Sequence, residues 1–193
     1  AEALDAAAKG NALDPENPEP HVVMAIALMQ RRDFAAAEEA LGQAQRLGPN
    51  HAMVYAVAAN VANFAGRPDA GLRLTGQAMR LCPIYPPWYA GDLSQAHLQL
   101  GQLNRSLAWS KAAIDRGARY IHAHLFRVIA LQELGRKAEA ADAAQTVLNI
   151  APDFVATAWS RGQPFRDPET NRRFLRALLE AGLPAGPLNA TPP

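Results

Sequence analysis

Prolines recur in this chain at a fixed distance. Pro15, Pro49 and Pro83 stand 34 residues apart, and Pro152 lies 69 residues beyond Pro83. Two registers of small residues keep the same spacing. Ala3, Ala37, Gly71, Ser106 and Ala140 are separated by 34, 34, 35 and 34 residues, and Gly10, Ala44, Ala78, Ala113 and Val147 follow in step. One inserted residue near Tyr85-Pro86-Pro87 accounts for every departure. A period this long marks stacked supersecondary units, each too small to bury its own apolar face.

Composition fits such a stack. Hydrophobic residues make up 49% of the 193, enough for a buried core. Alanine is abundant and favours helix, because it loses no side-chain entropy there. Nineteen basic residues balance 18 acidic ones, for a formal net charge of +1. That balance offers no electrostatic reason to expect nucleic acid or a membrane surface as partner. Cys82 is the one cysteine, so no disulfide forms within the chain, which fits a reducing, cytoplasmic setting. No apolar run approaches the length that spans a bilayer. The start at Ala1, with neither Met nor a signal-peptide pattern, predicts a piece of a larger protein.

A 34-residue period is that of the tetratricopeptide repeat (TPR), two antiparallel helices per unit, and the sequence resembles that family in detail. Repeat one offers Met24-Ala25, Leu28, Ala37, Leu41, Ala44 and Pro49 to its pattern; repeat two offers Tyr55, Ala58-Ala59, Ala62, Gly71, Ala78 and Pro83. Repeat three offers Leu93-Ser94, His97, Ser106, Ser110 and Ala113; repeat four offers His124, Val128, Leu131, Ala140, Ala144 and Pro152. Gly66, Gly101 and Gly135 hold one equivalent hairpin place, where glycine permits a left-handed helix end. Arg32 stands there in repeat one, Arg127 replaces a core Leu, and Ala118 replaces a boundary proline. The expected fold is all-α, a right-handed superhelical solenoid of helix pairs with a C-terminal capping helix. Repeats are expected at 18–51, 52–86 (with the insertion), 87–120 and 121–154. Before them, 1–17 reads as the second helix of a truncated repeat. After them come a degenerate half-repeat and capping helix at 155–184 and a tail at 185–193.

Small residues on both helices let their axes approach, so a Leu at Ala37 or Ala140 should overpack. Each boundary proline ends a second helix, because it lacks an N–H and restrains the residue before it. The last helix opens with Asp167 as N-cap, Pro168 in the first turn and acidic Glu169 near the positive helix end. Phe174, Leu175, Leu178 and Leu179 form its apolar stripe, with Arg172, Arg173 and Arg176 facing elsewhere. Gly182 reads as its C-cap, and Pro184 blocks continuation.

Candidate chemistry is sparse. His122 and His124 are two apart, which on a helix sends them to different faces and away from a shared metal. His21, His51 and His97 have no second ligand in sequence, and His97 sits at a core-type position. Cys82 precedes Pro83 with nothing nearby to activate its thiol. Gly-rich phosphate loops are absent. Glu38-Glu39 and Arg31-Arg32 read as solvated helix surface. No catalytic residue, cofactor or metal is expected. Trp88, Trp109 and Trp159 are the large aromatic side chains that could anchor a partner. Trp109 fits the second helix of its hairpin and reads as core, which leaves Trp88 the better anchor.

The resemblance implies a concave groove lined by the first helix of each pair. Its candidate residues are Val22, Val23, Ile26 and Met29, then Val57, Asn60, Asn63 and Phe64. Trp88, Asp92, Gln95 and Gln99 follow, then His122, Leu125, Phe126 and Glu133. Amides there can pair with an extended backbone, and apolar pockets can hold alternate side chains or an amphipathic helix. The other reading packs several of them against a neighbouring repeat or a returning tail. Chaperone-binding members hold a C-terminal carboxylate with Lys, Asn and Arg; Val22, Ile26, Val57, Trp88 and Gly91 or Asp92 take those places, so no such clamp is expected.

Two stretches resemble a narrower group. They are Tyr85-Pro86-Pro87-Trp88-Tyr89, and the ending Pro164-Phe165-Arg166-Asp167-Pro168 through Phe174-Leu175 to Ala181-Gly182-Leu183-Pro184. Together they look like the C-terminal repeat regions of bacterial class III adenylate/guanylate cyclases; similar endings stand behind winged-helix transcription-regulator domains. The cyclase's metal-binding aspartates and nucleotide-binding residues have no counterpart here. What this implies is a non-catalytic regulatory module of a signalling protein, with a protein, a peptide or another domain of the parent as partner, and neither nucleic acid nor membrane. A stand-alone scaffold or adaptor is the alternative. The apolar side near Leu4 of the first helix is expected to be open, and a homodimer through that N-terminal end is one way to hide it.

Overall fold

In the computed structural model, residues 2–186 are described, and among them all regular structure is α-helical. The tail expected at 185–193 lies outside this range beyond Gly186. The chain divides into two compact units. The first holds α1 (Glu2–Leu13), α2 (Glu19–Gln30), α3 (Phe34–Leu47), α4 (Ala52–Phe64) and α5 (Pro68–Leu81), together with the short segment Pro164–Arg166. The second holds α6 (Pro87–Gln99), α7 (Leu103–Arg116), α8 (Ile121–Glu133), α9 (Lys137–Ile150), α10 (Ala156–Gly162) and α11 (Pro168–Glu180).

Helix pairs form because the sequence removes bulk where the axes meet. In the first unit α2 packs on α3 and α4 on α5, with Ala25, Ala37, Ala44, Ala59 and Ala78 fully buried between them. A side chain on Gly71 would collide with Asn63 Oδ1, so that position has no room even for a methyl group. In the second unit α6 packs on α7 and α8 on α9 around Ser94, Ser106, Ala113, Ala140 and Val147. Buried serines stay compatible with an apolar seam by bonding locally: Ser94 Oγ donates to the Ser106 carbonyl at 3.0 Å and lies 2.9 Å from Ser106 Oγ.

Turns are equally regular. At each hairpin an amide just past the first helix folds back onto a carbonyl of its last turns: Arg67 N to Ala62 O, Gln102 N to His97 O and Arg136 N to Leu131 O, at 2.8–3.0 Å. This closure needs a left-handed residue, and Gly66, Gly101 and Gly135 supply it at φ of 78°, 68° and 74°. Asp33 N closes the first hairpin the same way onto Leu28 O, with Arg32 forced to φ 61°. Second helices stop two residues short of Pro15, Pro49, Pro83 and Pro152, and α7 stops at the same place before Ala118. Six residues past the boundary, a side chain ties the next helix to its carbonyl. Tyr55 Oη donates to the Pro49 carbonyl at 2.8 Å, and His124 Nε2 reaches the Ala118 carbonyl at 2.9 Å. No helix among the described residues is long and apolar enough to cross a membrane.

α11 is capped as its sequence predicts. Asp167 accepts hydrogen bonds from the amides of Glu169 and Thr170, both at 3.0 Å, and these bonds hold its carboxyl below the usual carboxylate range. Gly182 turns left-handed past its end. One arginine departs from expectation. Arg173 does not face away with Arg172 and Arg176 but turns into the fold, toward Glu133 of α8.

Candidate functional site

In the first unit the exposed part of the predicted groove is small and apolar. Val23 and Ile26, 42% and 40% exposed, stand three residues apart on α2, and Asn60 is half-buried on α4. Val22, Met29 and Val57 are buried, so they support the helices and do not line a surface. Asn63 is fully buried and turned toward Gly71, in the seam between α4 and α5. Phe64 is covered by the chain itself: its ring meets Phe165 at 4.8 Å between centroids, and its carbonyl accepts the Arg166 amide at 2.8 Å. The Arg166 guanidinium stands over the Phe34 ring at 4.9 Å.

Met53, 39% exposed on α4, holds the repeat place that Glu19 holds on α2 and is not among the expected residues. A signal for it exists in the sequence: Met53, Trp88 and His122 fall at one repeat place, with spacings of 35 and 34.

In the second unit most of the expected face is closed. Asp92, Gln95, Leu125 and Phe126 are buried, while Trp88, Gln99, His122 and Glu133 are half-buried. α11 packs against α8 with Phe174 and Leu178 fully buried. Arg173 anchors it. Its Nε and Nη2 donate to the two carboxylate oxygens of Glu133 at 2.6 and 3.0 Å, and Nη2 also donates to the Leu98 carbonyl at 2.5 Å. Gln132 Nε2 donates to Glu180 Oε2 at 3.1 Å farther along. Glu133 is therefore engaged by the chain's own last helix. Arg173 is hard to read from sequence because it looks like its neighbours; Arg172, by contrast, pairs locally with Glu169 in the open.

Aromatic rings gather where α8 begins. His122 lies 5.6 Å from Tyr120, 6.3 Å from Phe126 and 6.5 Å from Trp159, centroid to centroid. Burial lowers the His122 pKa below its ordinary value, so the ring is neutral at neutral pH. Tyr120 packs on Gly91, where any Cβ would strike its ring, and burial together with the Asp92 carboxylate raises its phenol above the usual range. Trp88 sits edge-on to Tyr89 at 4.4 Å. The Nε2 groups of Gln95 and Gln99 and Nε1 of Trp159 are buried without an acceptor, so the amides do not offer an open ladder in this arrangement.

Remaining candidates are structural in placement. His97 is buried with Nδ1 2.8 Å from Gln102 Oε1, and burial lowers its pKa. Cys82 caps α5 half-buried, with Sγ 3.5 Å from the Ile84 carbonyl. Among the described residues no three His, Cys, Asp or Glu side chains gather to hold a metal ion.

No family model matches the chain, and no curated protein matches it. Solved structures do. YrrB, described as a TPR protein with an unusual peptide-binding site, is 19% identical with a TM-score of 0.61, over 93% of this chain and 92% of that one. TTC0263, a TPR protein of Thermus thermophilus, is 18% identical with a TM-score of 0.65, over 84% and 99%. A chain of the APC/C hetero-tetramer Cut9–Hcn1 is 15% identical with a TM-score of 0.73, over 94% of this chain and 36% of that one. At these identities the likeness concerns the fold, and with the helix pairs and their period it makes this an all-α tetratricopeptide-repeat structure.

Proposed function

We propose that this chain is a non-catalytic, partner-binding TPR module that regulates a bacterial class III adenylate or guanylate cyclase. The observation that carries the reading is the closing motif. Its residues divide the work of closure: Phe165 packs on Phe64, Asp167 caps α11, and Phe174 fills the core beside α8. A sequence that repeats this set reproduces one way of closing a repeat array, and that set is where the chain resembles the cyclase regions. YrrB, described as having an unusual peptide-binding site, and the matching chain of the Cut9–Hcn1 hetero-tetramer support a partner-binding role for the repeats.

The test is cyclic-nucleotide production by the full-length parent against a version ending before Ala1. Activity in both, with a changed rate or response, supports the regulatory reading. A folded parent with no activity in either form moves the assignment to a scaffold or to the sensor part of a winged-helix transcription regulator. We further propose self-association through α1, although Leu4, expected to be open, is half-buried, and the exposed apolar residue of this helix is Leu13, at 87%. A constant monomer mass by light scattering from micromolar to millimolar chain would remove that surface from consideration.

A further inference from the structure

Among the described residues, three of the exposed large apolar side chains, Val23, Ile26 and Met53, stand on the first helices of two adjacent repeats, α2 and α4, in one unit. Exposed apolar groups gathered this way mark an interaction surface more often than scattered ones do. Three observations say what kind of partner fits.

Backbone pairing is the first. An extended peptide brings unpaired N–H and C=O groups that its receptor must satisfy. Val23, Ile26 and Met53 have no N–H or O–H in their side chains to do so, and Asn60, at the Ile26 repeat place on α4, is half-buried and already has a partner. A helix satisfies its own backbone and asks only for an apolar complement. The second is internal precedent. In the other unit, α8 is the first helix of its pair, and along it Leu125 and Ile129 are fully buried with α11 packed against that helix. Ile129 and Ile26 occupy one repeat place, related by the periods of 34 and 35. A first helix of this design thus already holds an amphipathic helix against it, one carrying Phe174 and Leu178 one turn apart with Arg173 on Glu133. The third is charge. Arg173 of that helix meets an acidic residue, Glu133. Glu19 lies on the Val23 and Ile26 side of α2, four and seven residues before them, with its side chain 69% exposed and 3.9 Å from His51.

From these we infer that the Val23–Ile26–Met53 face takes an amphipathic helix from a partner, with an apolar stripe and a basic residue at the end that meets Glu19. The inference rests on the reading of the chain as a partner-binding repeat module and names the partner's form.

The full chain with labelled Ile and Met methyl groups would be titrated with a synthetic peptide of the α11 sequence, Asp167 to Glu180, as the probe. The expected result is saturable shifts of the Ile26 and Met53 methyl signals. Ile26→Asp with Met53→Asp should weaken binding at least tenfold, and Glu19→Gln about threefold at low salt. Both changes are at exposed positions, and an unchanged helix signal by circular dichroism confirms the fold. A peptide carrying Leu178→Pro, which cannot stay helical, should lose at least tenfold. Equal binding of that peptide at the same methyls would overturn the helix and leave the partner-binding reading standing. Shifts confined to Ile129, with exchange of the resident α11, would overturn the site, as would no shift at all. A mass that doubles without peptide and returns to monomer with Ile26→Asp would assign the face to a second copy, and the inference fails. The cyclase assay judges the parent reading independently of every one of these results.

Discussion

Ile26 and Ile129 occupy the same place in their repeats, yet one is 40% exposed and the other fully buried. Both are on first helices, and both have small residues behind them. The helices that carry them differ in what packs against them. In the second unit α11 packs on α8; in the first, Pro164–Arg166 covers Phe64 and Phe34 at the turn end of the helices. The repeat thus specifies a face without specifying its use. Whether the face becomes core or surface depends on residues far away in sequence. The same unit type can therefore close an array at one place and leave apolar side chains exposed at another.

The sharpest way to break this contrast is to remove what closes the second unit. Phe174 is the largest fully buried side chain of α11. Phe174→Ala should cost about 3–5 kcal/mol, through lost burial and the cavity left behind. Denaturant unfolding should show it as a lower midpoint, and hydrogen exchange should rise first in α8 and α11. The equivalent test in the first unit, Ile26→Ala, removes a side chain already half in water and should cost well under about 1 kcal/mol. If the two substitutions cost the same, the contrast between a closed and an open face is wrong.

Arg173→Ala probes the anchor and not the packing. It leaves Glu133 half-buried without its partner and removes the second hydrogen bond of the Leu98 carbonyl, which still accepts the Gly101 amide. Because the Arg173 side chain is about one-third exposed, solvent screens part of the pair, and the expected loss is about 1–2 kcal/mol. Glu133→Gln should recover part of that loss in the double variant, since the uncompensated charge is then gone. A double variant no better than the single one would mean that the carboxylate contributes little.

Hairpin turns give a smaller effect that also separates the units. Both hairpin turns of the second unit have glycine in the left-handed place, whereas the first unit has Gly66 in one and Arg32 in the other. An L side chain there is strained by about 1–2 kcal/mol, partly offset by the freedom glycine adds to the unfolded chain. Arg32→Gly should therefore stabilise by about 0.5–1 kcal/mol, and Gly101→Arg should destabilise by a similar amount. Thermal melts of the two variants, shifted in opposite directions, check the pair together.

Much of this is legible in the chain because local rules act without competition. The period places the helix pairs, and Pro15, Pro49, Pro83 and Pro152 fall two residues past second helices. Gly66, Gly101 and Gly135 mark the turns, and even Arg32 stands out in the sequence as the exception that its φ makes it. Asp167, Pro168 and Gly182 bound α11 as their chemistry requires. The face itself is harder to read. Which of the groove positions meet water depends on where a later segment lies, and periodicity is silent on that. Asn63 turns to the seam because Gly71 leaves a hole for its amide. Glu133 is engaged by an arginine 40 residues away, and Met53 is exposed at a place it shares with Trp88 and His122, which are half-buried. Long-range packing decides each of these.

The weakest expected effect concerns pH. His122 is half-buried among Tyr120, Phe126 and Trp159, and burial holds its pKa below the ordinary 6.5. The unfolded chain therefore takes up a proton at a pH where the folded chain does not. Stability from this group is present above about 6.5 and is lost as pH falls below that value, until the folded ring is protonated too. His97, also lowered by burial, acts in the same direction, with its bond to Gln102 working against the shift and Arg105 adding to it. The unit holding both histidines should thus lose a little stability between about pH 7 and about pH 5. His122→Gln should flatten the slope of the second unit without abolishing it, because His97 remains. A slope unchanged by His122→Gln would mean that the folded ring accepts a proton as readily as the unfolded one, and that the aromatic surround does not exclude its charge.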